Sequence, residues 1–116
     1  MEKGQISQIP NNYYSLEVNN GTVTTAGMIN WGSGNVQYVI LGGNTTFTFI
    51  GGLAGMRCIL QVAGAYTPTF PANVRWPGGI TPIATASVGH KDIYSFIYSG
   101  VENLYDGTQS ANFATT

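Results

Sequence analysis

The chain's only histidine and one of its five acidic side chains stand two residues apart in Gly89-His90-Lys91-Asp92, and together they are its most obvious candidates for chemistry. A histidine acting as general base wants a carboxylate to orient it, and positions i and i+2 share a face only inside a strand. The polar flanks place His90 in a connection just ahead of a strand, so it reads as an ordinary loop histidine. Asp92 opens the apolar run Ile93-Tyr94-Ser95-Phe96-Ile97-Tyr98, and a carboxylate drawn into a core needs donors. It is expected to accept backbone N–H groups from a neighbouring turn or to pair with Arg75, in preference to ligating a metal or a sugar.

The remaining candidates point away from catalysis. Cys58 is the only cysteine and sits in an apolar run, so it reads as a small core residue, with no intrachain disulfide and no cysteine-rich metal site. The hydrolase elbow G-x-S-x-G, the P-loop and H-E-x-x-H are all absent. Five acidic residues leave few carboxylate pairs for glycoside hydrolysis. No catalytic, cofactor-binding or metal site is expected, and the chain reads as a non-enzyme.

Arg57 and Arg75 each lie beside apolar residues, where their stems cover hydrophobic surface and their guanidinium groups reach a partner's carbonyls. The aromatic residues fall at alternating strand positions and read as core or interface packing, with a glycan platform as the alternative. Asn20-Gly21-Thr22 and Asn44-Thr45-Thr46 match the N-glycosylation pattern but are read as turn chemistry.

The elements that hold these residues are strands. Thr45-Thr46-Phe47-Thr48-Phe49-Ile50 alternates threonine with phenylalanine, the pattern of a half-buried antiparallel strand with Phe47 and Phe49 in the core. Val36 to Leu41 sets Val36, Tyr38 and Ile40 against Val39 and Leu41, and Met56 to Ala63 sets Cys58, Leu60 and Val62 against Arg57, Ile59 and Gln61. In the run after Asp92, Ile93, Ser95 and Ile97 oppose Tyr94, Phe96 and Tyr98, so that strand is apolar on both faces and belongs inside a sandwich or at a subunit interface.

Turn residues punctuate these runs. Asn19-Asn20-Gly21 is expected to close a hairpin between Tyr13–Val18 and Thr22–Thr25, and Asp106-Gly107 to turn between Val101–Tyr105 and Gln109–Ala114. Asn73-Val74-Arg75-Trp76 reads as a strand, with Pro77 and Gly78 at the two centres of a type II turn, and Arg75, Trp76, Pro77, Gly78 and Asp92 are read as a structural corner.

No helical periodicity is present, and sixteen glycines would weaken any helix. The expected fold is all-β, an antiparallel β-sandwich or jelly-roll-like single domain over residues 13–116, preceded by an N-terminal arm over residues 1–12. Ile6 and Ile9 are the arm's expected contacts with a neighbour.

Composition narrows the partners. Charged residues make up 8% of the chain, against roughly 25% in an average globular protein, which leaves little charge to keep a free surface soluble. Much of that surface is expected to be covered by further copies or other proteins. Lys3, Arg57, Arg75 and Lys91 are scattered and the net charge is -1, so nucleic acid is excluded as a partner. No apolar run reaches the roughly 18 residues of a membrane helix and no signal peptide is evident, so no membrane partner is expected.

The order Trp31, Val36 to Leu41, Thr46-Phe47-Thr48-Phe49, Leu60-Gln61-Val62, Asn73-Val74-Arg75-Trp76-Pro77-Gly78-Gly79, Pro82, Asp92-Ile93-Tyr94-Ser95-Phe96 and Tyr105-Asp106-Gly107 resembles a module of tailed-bacteriophage virion structural proteins. It covers about residues 30 to 113. The resemblance implies a trimeric or otherwise oligomeric sandwich, without enzymatic activity, located on a virion surface and assembled in the host cytoplasm. For a short chain with an arm, the expected role is capsid decoration (cement) protein, a homotrimer whose partner is the major capsid protein. The alternative is a head- or tail-fibre receptor-binding module that contacts host surface glycans.

Overall fold

The computed structural model describes residues 16–115. Among the described residues nine strands follow one another: β1 Glu17–Val23, β2 Ala26–Asn30, β3 Val36–Leu41, β4 Thr45–Ile50, β5 Arg57–Gly64, β6 Pro68–Thr69, β7 Val74–Arg75, β8 Ser87–Ser99 and β9 Leu104–Ala114. The only helical pieces among the described residues are two 3-10 turns, Trp31–Ser33 and Pro77–Gly79. The all-β reading holds. No helix among the described residues is long and apolar enough to cross a membrane.

Strand polarity departs from expectation. The larger sheet has the order β1-β3-β5-β8-β9-β7 and the smaller one β2-β4-β6. Through β6 the chain alternates between sheets, so each strand lies parallel to the strand two places earlier. Coil follows coil at steps of 19 and 23 residues in the larger sheet (Glu17 to Val36, Val36 to Ile59). The smaller sheet steps by 20 and 23 (Ala26 to Thr46, Thr45 to Pro68).

Only β8 breaks the run, pairing antiparallel with β5 and with β9, while β7 pairs parallel with β9. The antiparallel expectation is therefore corrected to a parallel smaller sheet and a mixed larger one. Period-2 alternation fixes which face of a strand is buried but not which way its neighbour runs. The Gly- and Asn-rich connections here send the chain across to the other sheet instead of back along the same one.

Aromatic rings fill the space between the sheets. Phe49 of β4 meets Trp31 at 5.3 Å, Phe96 of β8 at 5.2 Å and Tyr105 of β9 at 5.2 Å, each edge to face. Each such pair contributes about 0.5–1.5 kcal/mol beyond its buried area. Phe70 and Trp76 extend the cluster, with ring centroids 5.2 Å apart. Phe47, Phe49 and Cys58 are buried as expected, and so are Leu60 and Val62 on the face of Cys58 and Tyr94 and Phe96 on one face of β8.

Two turn assignments are overturned. β1 runs straight through Asn19-Asn20-Gly21, which forms an irregularity in its ladder with β3 where a hairpin was expected. Gly21 takes φ 69° and the Asn20 amide donates to Gln37 and to the Tyr38 carbonyl, so the local bend is satisfied without reversing the chain. β9 likewise runs through Asp106-Gly107. The Asp106 carboxylate is held by Arg75, and Gly107 is buried so closely under the Phe96 ring that a Cβ there would lie 2.7 Å from it.

Candidate functional site

The expected corner exists as a turn. The Gly79 N–H donates to the Trp76 carbonyl at 2.9 Å, and Gly78 at the third position has φ 66° and ψ 9°, the geometry of a type II turn. Arg75 precedes it and does not reach Asp92. Its guanidinium instead binds Asp106 (Nε to Oδ1 2.7 Å, Nη2 to Oδ2 3.0 Å) and Glu102 (Nη2 to Oε1 2.7 Å). These hydrogen bonds hold the Asp106 carboxyl below its ordinary range and raise Arg75 further. Trp76 lines three shallow clefts of about 610, 390 and 420 Å³ around this corner.

Asp92 is a separate site. It is 3% exposed and accepts from the Thr85 amide at 2.7 Å, the Thr85 hydroxyl at 2.5 Å and the Asn112 amide at 2.9 Å. It thus ties the segment ahead of β8 to the far end of β9. Tyr94 and Gln109 add longer contacts at 3.4 Å. Burial pushes the Tyr94 phenol up to about 12; the hydrogen bond from Gln109 opposes this and the nearby Asp92 charge adds to it.

His90 lies inside β8 and not in a loop, so it shares the strand with Asp92. Cys58 is fully buried, and burial pushes its thiol up to about 12. Among the described residues no three His, Cys, Asp or Glu side chains gather. Ile6 and Ile9 lie outside the described residues.

The most extensive feature is the outer face of the larger sheet. Strand register places Glu17, Val36, Ile59, Ser95 and Thr108 in one row and Asn19, Tyr38, Gln61, Ile93 and Ser110 in the next. Ile40 and Ile97 lie in the flanking rows and are 40% and 47% exposed. Val36, Tyr38, Ile59 and Ile93 are half-buried.

The charges on this face are Lys91, Arg57 and Arg75 against Glu17 and Asp106, with Glu102 held by Arg75 beside them. Lys91 lies over the Tyr38 ring at 5.4 Å and donates to Gln61 at 2.6 Å, and Gln61 donates to Glu17 at 2.9 Å. Arg57 and Asp106 share the row of Ile97. The alternation within each strand showed this face one strand at a time. The register sets Val36 beside Ile59 and Ile40 beside Ala63, while Ile93 and Ile97 of β8 face Gln61 and Arg57 of β5.

No family model, no curated protein and no solved structure matches this chain.

Proposed function

We propose that this chain is a structural subunit of a viral particle, a capsid decoration protein that works as an oligomer. The observation that carries this reading is the outer face of the larger sheet. There, Val36, Tyr38 and Ile40 of β3, Ile59 of β5 and Ile93 and Ile97 of β8 share one face, interleaved with Gln61, Ser95 and charges of both signs. Apolar side chains gathered on the outer face of a sheet favour an interaction surface. The two sheets around one aromatic core are read as a sandwich of parallel coils, rigid enough to present that face.

The mechanism is mass action. A protein that binds the assembled shell and not its separated subunits stabilises the shell, by about 2.7 kcal/mol per site at a hundredfold excess over Kd. The test adds purified protein to capsids that lack it. Binding with a rise in capsid melting temperature is the expected result, with both lost in Ile59→Asp. Capsids equally heat-stable with and without the protein would overturn the reading.

A second reading rests on the clefts at Trp76. Arg75 there carries two carboxylates, so the group has a net negative charge and favours a neutral, hydroxyl-rich ligand over an acidic one. A host surface glycan fits that chemistry. Glycan-array binding abolished by Thr81→Trp, which would fill the largest cleft, would favour it.

A further inference from the structure

Asn20-Gly21, which β1 runs straight through, is the only Asn-Gly pair in the chain. In such a pair no side chain on the glycine shields its backbone nitrogen. That nitrogen can attack the asparagine Cγ: a new N–C bond closes a succinimide ring, the Cγ–Nδ2 bond breaks and ammonia leaves. Water then opens the ring at one carbonyl to aspartate or at the other to isoaspartate. The net change is a carboxylate in place of an amide, with water consumed, ammonia released and nothing oxidised or reduced.

Both reacting groups are engaged in the fold. The Asn20 amide donates to Gln37 Oε1 at 3.0 Å and to the Tyr38 carbonyl at 3.3 Å, both on β3. The Gly21 N–H donates to Asn19 Oδ1 at 2.9 Å. The pair lies where the ladder between β1 and β3 slips, and around the Cβ position of Gly21 there is open space. Once those bonds are broken, nothing near Gly21 hinders the attack.

We propose that Asn20 is a deamidation site which the β1–β3 ladder keeps shut, and that its modification stops β1 from closing again. The second half follows from what Asn20 holds. Both of its partners are acceptors, and a carboxylate in its place has no proton to give them. Gln37 is 1% exposed, and its own amide donates to the carbonyls of Asn30 at 2.8 Å and Gly34 at 2.9 Å. Those two residues cap the turn that carries the buried Trp31. Gln37 can turn its NH2 to the new carboxylate only by abandoning them.

The test incubates the full chain in mildly alkaline buffer, folded and in guanidinium. Asn20 is followed by peptide mass and by isoaspartyl methyltransferase labelling. Modification of the folded chain is expected to be slower by about tenfold or more, the factor set by the free energy of opening β1. No modification in guanidinium overturns the site, and equal rates in the two states overturn its closure by the ladder.

Asn20→Asp reproduces one product. It is expected to lower the unfolding midpoint more than Asn20→Ala, which only deletes the donor. That difference is expected to shrink in acid, where the carboxyl regains a proton to donate. Asn20→Asp as stable as the native chain overturns the block on re-closing. The comparison of rates needs no variant and stands whatever either substitution does to folding.

Discussion

Thr85 meets Asp92 twice, through its backbone amide at 2.7 Å and its hydroxyl at 2.5 Å, and so pins the end of an irregular segment to the middle of β8. Asp92 also holds the Asn112 amide of β9, so one buried carboxylate locks three parts of the chain. Asp92→Ala leaves two backbone donors without their acceptor. The expected destabilisation is about 1–3 kcal/mol for each donor that stays buried, read as a lower midpoint in denaturant unfolding. Asp92→Asn keeps the shape but turns an NH2 toward one of those donors, and is expected to lose nearly as much.

Gly107 has no room for a side chain, since a Cβ there would sit 2.7 Å from the Phe96 ring and 2.9 Å from Trp76. Gly107→Ala forces those rings apart and is expected to cost about 1–3 kcal/mol. Gly55, with open space around its Cβ position, is the contrast. Gly55→Ala should show only the smaller penalty of its positive φ. Thermal melts of the two variants side by side check the order.

Cys58 is fully buried, and burial also pushes its thiol up to about 12, so the folded chain offers a reagent neither access nor a thiolate. A chromogenic disulfide reagent is expected to leave the folded protein unmodified over hours and to label one thiol per chain at once in denaturant. Rapid labelling of native protein would show that β5 opens readily.

Acid acts on the Arg75 corner. The Arg75 hydrogen bonds hold Asp106 below its ordinary value of 3.8, so the folded state binds fewer protons there than the unfolded chain. Its contribution is complete above that ordinary value and is lost as pH falls through the lowered one. The side chains are exposed, so the effect is small. The stability difference between the native chain and Asp106→Asn is expected to shrink toward zero below about pH 4, as measured by urea unfolding across pH.

Much of the strand layout is legible in the residue pattern alone. The alternation of Thr45 to Ile50 places Phe47 and Phe49 inside, that of Met56 to Ala63 groups Leu60 and Val62 with the core residue Cys58, and the structure buries all five. Direction is not legible, because an alternating strand looks the same whether its neighbour runs up or down. Asn20-Gly21 and Asp106-Gly107 mislead for a related reason. Each has the composition of a tight turn, yet the Asn20 amide is held by Gln37 and Tyr38, and Gly107 serves the packing of Phe96. Both constraints come from residues distant in sequence. The bonds of Asp92 to the turn side are open to inference, whereas its partner Asn112 lies twenty residues on and carries no local signal.

A wall that repeats every 19 to 23 residues grows by whole storeys. Duplicating one coil would lengthen the body along its axis while its cross-section, its aromatic filling and the two-residue strands β6 and β7 stayed as they are. Height is therefore a property such a protein can change by gene duplication alone, without redesigning either of its ends.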